Sequence, residues 1–190
     1  NFLHPEKEVL IMNVFELSTE RLTLVPLSRK EIEFVHLLHS NPEVDFYNTL
    51  GIPETIEHTK IILNEMVSEN EKKETQKFTF CIKSNDKNIG LIALNLGNKK
   101  YEIGEIWYKF LPEYWKQGFA TEALKTVIDL GFQKLKLHRI EAGCASANIG
   151  SVKVLEKAGM IREGHKRQHL PLKSGWADCY EYAMLASDLK

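Results

Sequence analysis

Only three cysteines, Cys81, Cys144 and Cys179, occur among the 190 residues. They are odd in number, widely spaced and free of any Cys-x-x-Cys pair, which argues against a disulfide framework and against a zinc site. A reducing cytoplasm is the expected compartment, and no metal is expected. Long apolar runs are missing as well. Stretches such as Leu91-Ile92-Ala93-Leu94 fall far short of the roughly 20 residues that cross a bilayer, so no membrane helix is predicted. Charge of one sign is equally scarce: 25 Lys+Arg against 26 Asp+Glu leave a net −1. A general nucleic-acid binder or membrane-surface protein would show a basic excess. Low-complexity stretches, flexible linkers and internal repeats are absent, as are the phosphate loops GxxxxGKS/T and GxGxxG.

What is present is an ordinary globular balance, 43% hydrophobic and 27% charged, at a length that fits one domain. Residues 1–11 begin Asn1-Phe2-Leu3-His4-Pro5, without the basic-then-apolar layout of a signal peptide. They are expected to be a tag remnant or a variable extension, leaving 12–190 as a single domain. Arg21 to Val25 alternates like a strand, and Ser28 followed by Glu31 is a capping box that opens a helix. Asn41-Pro42 should end it. A second helix is predicted from Thr55 to about Asn70, with Ile56, Ile62, Leu63, Met66 and Val67 as its stripe. A hairpin follows, Thr75–Lys83 with Ile89–Leu94, then a strand over Tyr101–Phe110. Thr121 onward reads as an amphipathic helix, His138–Ala145 as a strand, and Asn148 to Gly159 as a capped helix. Two more strands, Ile161–Leu170 and Trp176–Leu185, close the chain. The order βα(α)βββαβαββ mixes hairpins with helical crossovers, which predicts an α+β or mixed α/β sandwich.

The segment Pro112 to Thr121 carries the chemistry. A strand, a short turn containing Gly118 and a helix beginning near Thr121 aim unpaired backbone N–H groups at one point, at the positive end of the helix dipole. Such a turn binds phosphate without charged side chains. The alternative is an ordinary strand-to-helix connection. Here the sequence resembles a known family: Gly104 to Leu124, containing Leu111-Pro112-Glu113-Tyr114-Trp115-Lys116-Gln117-Gly118-Phe119-Ala120-Thr121, looks like the acyl-coenzyme A signature of the GNAT N-acetyltransferases. Three further blocks are similar to the branch containing the ribosomal-protein N-terminal (alanine/serine) acetyltransferases. They are Thr19–Leu24, then His138–Ala142 with Asn148–Ser151 and Val154–Met160, then Gly175–Asp178 with Tyr182. The similarity covers roughly Glu16 to Leu185. It departs from the usual pattern at Trp115, where Gln or Arg is common, at Lys116 and Ala120, where Gly is common, and at Trp107.

The resemblance implies a twisted, mostly antiparallel sheet of about seven strands flanked by helices and split near Tyr108–Phe110. It implies that N–H groups near Gln117, Gly118, Phe119, Ala120 and Thr121 hold the pyrophosphate of acetyl-CoA. The backbone of Tyr108, Lys109 and Phe110 would pair with the pantetheine arm, and Asn148 would bind that arm too. Acetyl transfer to a primary amine by direct attack in a ternary complex is the implied reaction. Ser151 is then the candidate donor to the leaving thiolate, unless it and Asn148 only cap a helix; Glu105 is the candidate base, with a water chain as the alternative. An α-amine with a pKa near 8 is roughly 10% neutral at pH 7, against about 0.04% for a lysine amine, so a protein N-terminus needs less help. Polyamines or other small amines are the second acceptor class, and a non-catalytic acyl-CoA-binding regulatory module is the alternative of another kind. A dimer through the sheet edge or the C-terminal strands is common in that family, and the oligomeric state stays open. His165, His169, Cys144 and the basic group Arg162, His165, Lys166 and Arg167 read as surface or core residues, with an acidic partner or the cofactor's ribose phosphate as the functional alternative for the basic group.

Overall fold

The computed structural model describes residues 16–189; the expectation for residues 1–11 lies outside them. Eight strands form one sheet in the order β1-β2-β3-β4-β5-β6-β8-β7. The strands β1 (Leu17–Ser18), β2 (Thr23–Pro26), β3 (Lys77–Ser84), β4 (Lys87–Leu96) and β5 (Ile103–Phe110) make one antiparallel wing. β6 (Arg139–Ala145), β8 (Gly175–Leu185) and β7 (Ile161–Leu172) make the other. The extra strand over the expected seven is β1, two residues long and too short to leave a periodic signal.

Helices cover both faces. On one lie α1 (Ile32–His39), the single-turn α2 (Pro42–Asp45) and α3 (Ile56–Asn70); on the other lie α4 (Phe119–Asp129) and α5 (Ile149–Ala158). Side chains alternate across a strand, so Phe78, Phe80, Ile82, Ile92 and Leu94 pack toward α4 and α5, while Cys81 and Leu91 pack toward Val35, Leu38, Leu63 and Val67. Burial on both sides makes β3 and β4 read as nearly continuous apolar runs.

Two expectations need correction. Asn41-Pro42 does end α1, but it also starts α2: Asn41 Oδ1 accepts from the N–H groups of Glu43 and Val44 at 2.9 and 3.3 Å. The buried stripe of α3 is Thr59, Leu63, Val67 and Asn70, with Ile56, Ile62 and Met66 only half-buried. Asn70 earns its place by clamping β3, donating from Nδ2 to Thr79 O at 2.8 Å and accepting from Thr79 N at 2.9 Å.

The two wings meet at β5 and β6, the one parallel pair among the described residues, and only for three rungs: Ile103↔Arg139, Gly104↔Ile140 and Glu105↔Glu141. Beyond them β5 continues against β4 alone as far as Phe110, and β6 continues against β8 alone as far as Ala145. The sheet therefore opens into a V after Glu105. The edge of β5 from Ile106 to Phe110 that faces β6 is left without a strand partner.

Candidate active site

The turn after β5 is built by local chemistry. Trp115 N–H returns to Pro112 O at 3.0 Å, and the Trp115 indole donates to Phe110 O at 2.8 Å. Gln117 Nε2 donates to Glu113 O at 2.6 Å. Lys116 and Gly118 both take left-handed conformations, φ 60° and 84°. α4 consequently begins at Phe119, two residues earlier than Thr121, with Gly118 as its N-cap. Gly118 O accepts the Glu122 N–H at 3.0 Å, and no side chain caps the helix. Among the described residues the backbone N–H groups of Gln117, Gly118, Phe119, Ala120 and Thr121 have no hydrogen-bond partner. A helix start with orphan donors at the positive end of the dipole is chemically suited to an anion.

Arg21 fixes this turn from β2's side of the sheet. Its Nε and Nη2 grip Glu122 Oε2 at 2.7 and 2.6 Å, its Nη1 donates to Gln117 O at 3.0 Å, and its guanidinium lies 4.6 Å over the Phe119 ring. Burial pushes the Glu122 carboxyl up, but hydrogen bonds from Thr19 and Arg21 outweigh it and hold the group below the usual carboxylate range. Sequence reading gave Arg21 no role beyond a strand. The available signal was Glu122, an acid in the first turn of α4 that needs a cation beside it.

The V brings Tyr108 and Ser151 together. Tyr108 points to the α4–α5 face with Ile106 and Phe110, and its hydroxyl lies 2.7 Å from Ser151 Oγ. Burial pushes the phenol well up, only partly offset by the Ser151 bond, so it stays protonated. Asn148 is the N-cap of α5: its Oδ1 accepts from Ser151 N at 3.1 Å. The helix-cap alternative therefore holds for Asn148 Oδ1, while the Ser151 hydroxyl is left to pair with Tyr108 across the opening. Cys144, on β6 nearby, is a buried thiol, pushed up to about 11 chiefly by burial.

Glu105, Trp107 and Lys109 occupy the opposite face. Glu105 is exposed and sits on the last rung of the V, level with Glu141, whose carboxylate is held by Arg139 at 2.7 Å. It makes no hydrogen bond to Ser151 or Tyr108. Trp107 packs against the α1 cluster. Lys109 is half-buried, and burial lowers its amine to about 8 against a raising pull from Asp45.

Residues 21–161 match the family model described as an acetyltransferase (GNAT) domain. The chain belongs to the GNAT acetyltransferases. It is 33% identical over 174 residues to an uncharacterized N-acetyltransferase of Bacillus subtilis, YnaD, covering 90% of this chain and 98% of that one. A spermidine N-acetyltransferase from Vibrio cholerae, solved in complex with CoA and spermine, superposes with a TM-score of 0.79 at 26% identity, covering 90% of this chain and 98% of that chain. The ribosomal-protein-S5-alanine acetyltransferase of Vibrio fischeri shares the fold, with a TM-score of 0.79 at 21% identity over 93% of this chain and 99% of that one.

In this GNAT chain a hollow of about 480 Å³ adjoins the turn, lined by Thr19, Glu20, Gly118, Thr121, Glu122, Lys125 and Lys157. Lys125 and Lys157 escaped sequence reading because exposed helix lysines are ordinary. The basic group of β7 is largely paired: Arg162 lies 4.5 Å over the Tyr180 ring, His165 Nε2 meets Asp178 Oδ2 at 2.7 Å, and Lys166 meets Glu181 at 3.1 Å. The two closing strands run further than the predicted ends at Leu170 and Trp176, leaving only Lys173 and Ser174 between them at the hairpin tip.

Proposed function

We propose that this enzyme transfers the acetyl group of acetyl-CoA to a primary amine, with a protein N-terminal amine as the preferred acceptor class. The observation that carries the reading is the fan of unpartnered N–H groups from Gln117 to Thr121, placed at the end of a strand whose other edge is open. Diphosphate charge suits the fan, and Lys125 and Lys157 add cations beside it. An amide-bearing arm suits the free edge of Ile106–Phe110, since extended peptide-like groups complete an open strand. Together these would run the cofactor down the V, with its thioester near Tyr108, Ser151 and Asn148.

The acceptor nitrogen, neutral, attacks the thioester carbonyl carbon; the C–S bond breaks as the C–N bond completes. The nitrogen loses one proton, taken by Glu105 or a water chain, and the sulfur gains one from the Ser151–Tyr108 hydroxyl pair. No covalent enzyme intermediate is needed, because the thioester is already activated. A thiol with a pKa of about 8.5 also leaves unaided, so the hydroxyl pair accelerates rather than enables the step.

A polyamine is the second acceptor reading, favoured by the likeness to the spermidine enzyme. Thiol release from acetyl-CoA with a panel of amines tests both. Turnover with short peptides bearing a free N-terminal serine or alanine is expected, faster than with spermidine. Spermidine faster than every peptide reverses the acceptor assignment. CoA binding without release across the panel makes the chain a binding module.

A further inference from the structure

The turn that carries the proposed diphosphate site is held by the connection between β1 and β2. That connection folds tightly: Thr19 N–H donates to Leu22 O, and Leu22 N–H to Thr19 Oγ1, both at 2.9 Å. It presents four donors to one carboxylate. Glu122 Oε1 accepts from the Thr19 hydroxyl and, at 3.1 Å, from the Arg21 N–H, while Oε2 accepts from Arg21 Nε and Nη2. Glu122 lines the hollow beside the turn, with Gly118 and Thr121, and Arg21 does not. Arg21 therefore reaches the site only through what it holds.

The first effect of these contacts is on charge. A carboxylate in the first turn suits the helix dipole, but a diphosphate at the helix head would have to share that dipole with it. Arg21 and Thr19 occupy both Glu122 oxygens, so a guanidinium matches the negative charge before a ligand arrives. The second effect is on orientation. Across a trans peptide the carbonyl and the following N–H point in opposite directions. Arg21 Nη1 holds Gln117 O at 3.0 Å, which turns the Gly118 N–H away from Arg21, where it has no partner. The guanidinium also lies 4.6 Å over the Phe119 ring and so close to Gly118 that a Cβ there would come within 3.2 Å of Nη2. The turn is clamped from the Arg21 side, and its Gly118 donor is presented on the other.

We infer that Arg21 is a positioning residue for the cofactor: it aims the Gln117–Gly118 peptide at the diphosphate and neutralises the Glu122 charge that would otherwise repel it. A plain stabilising role is the competing account, and magnitudes separate the two. The Arg21–Glu122 pair is open to solvent, with 44% and 20% of the two side chains exposed, and pairs of this kind add little to stability. A bare carboxylate and a misdirected N–H beside a diphosphate act on charge-assisted hydrogen bonds, which are among the stronger contacts a ligand makes.

The inference rests on the acetyl-CoA reading and deepens it. Calorimetric titration of the full chain with CoA, and thiol-release kinetics with the best amine of the panel, compare wild type with Arg21→Met, Arg21→Lys and the double variant Arg21→Met with Glu122→Gln. Arg21→Met should weaken CoA binding and raise KM for acetyl-CoA about 10- to 100-fold, while kcat moves no more than about 2-fold, the signature of lost uniform binding. Removing the bare charge as well should recover part of that loss, the remainder belonging to the freed peptide. Arg21→Lys keeps the charge without the fork, so it should fall between wild type and Arg21→Met. Melting temperatures should drop by no more than about 4 °C. The inference is overturned by an Arg21→Met protein that binds CoA like wild type, by a double variant no tighter than the single one, or by losses that fall on kcat as much as on KM. Failure of the acetyl-CoA reading looks different: wild type itself gives no heat with CoA, which removes that reading and this inference together.

Discussion

Ser151 carries two bonds with separate meanings. Its N–H belongs to the Asn148 cap, and its hydroxyl belongs to Tyr108. The Asn-x-x-Ser spacing is visible in the sequence, but the partner 43 residues away is not, because alternation along β5 says which face Tyr108 occupies and nothing about what waits there. If the pair protonates the leaving sulfur, Tyr108→Phe and Ser151→Ala should each lower kcat by about 10- to 100-fold, below the usual range for acid catalysis because the thiolate is a fair leaving group. KM for acetyl-CoA should barely move; unchanged kcat in both variants removes the acid role. His39 gives a pH signature. Folded, it stays neutral down to about 3, whereas its ordinary value is 6.5. The unfolded chain therefore binds a proton first, and stability falls as the pH drops below about 6.5. Between pH 7 and pH 5 this costs about 2 kcal/mol, and His39→Leu should remove that part of the decline in melts at the two pH values. Lys109 shifts the other way along the scale. Its amine sits at about 8 folded against 10.5 ordinarily, so the folded chain sheds its proton first and stability rises between those values. Lys109→Met should stabilise the fold at pH 7 by about 3 kcal/mol, a gain that falls below about 1 kcal/mol by pH 10.

Helix α4 is the element on which the site depends. Its amphipathic stripe and its glycine turn were legible in the sequence, while its start was read two residues late because Phe119 and Ala120 look like part of the turn. Only the backbone of Lys116 and Gly118, both left-handed, shows why the helix can begin at once. A Cβ on Gly118 would sit 3.2 Å from Arg21 Nη2 at φ 84°, so Gly118→Ala should cost about 1–2 kcal/mol from the left-handed conformation alone. It should also weaken CoA binding, by disturbing both the fan and its Arg21 brace; calorimetry and melts check the two effects. The stripe of α3 was misread for a related reason. Thr59 and Asn70 are polar, so a hydrophobic period assigns them to solvent, yet both are buried. Asn70→Ala should cost about 1–3 kcal/mol, since it strands the buried Thr79 N–H, while Thr79 O keeps the Leu27 N–H at 2.9 Å.

Across the whole molecule, function follows from a sheet that stops pairing in its middle. Hairpins, crossovers and every strand but the two-residue β1 come through in hydrophobic period, so the mixed sandwich was within reach of the sequence. A split in the sheet was expected only through the family resemblance, near Tyr108–Phe110 rather than from Glu105 onward, because period reports which face a residue takes and is blind to whether a neighbouring strand stays alongside. The bridge from Tyr47 to Ala147 was not foreseen for the same reason, linking segments 100 residues apart. The cofactor assignment joins these scales and makes a local demand. On adding CoA to the isotopically labelled protein, the backbone amide resonances of Gln117 to Thr121 should show the largest shifts, with a second set along Ile106 to Phe110. Shifts absent from residues 117–121, or gathered elsewhere on the surface, would contradict the account.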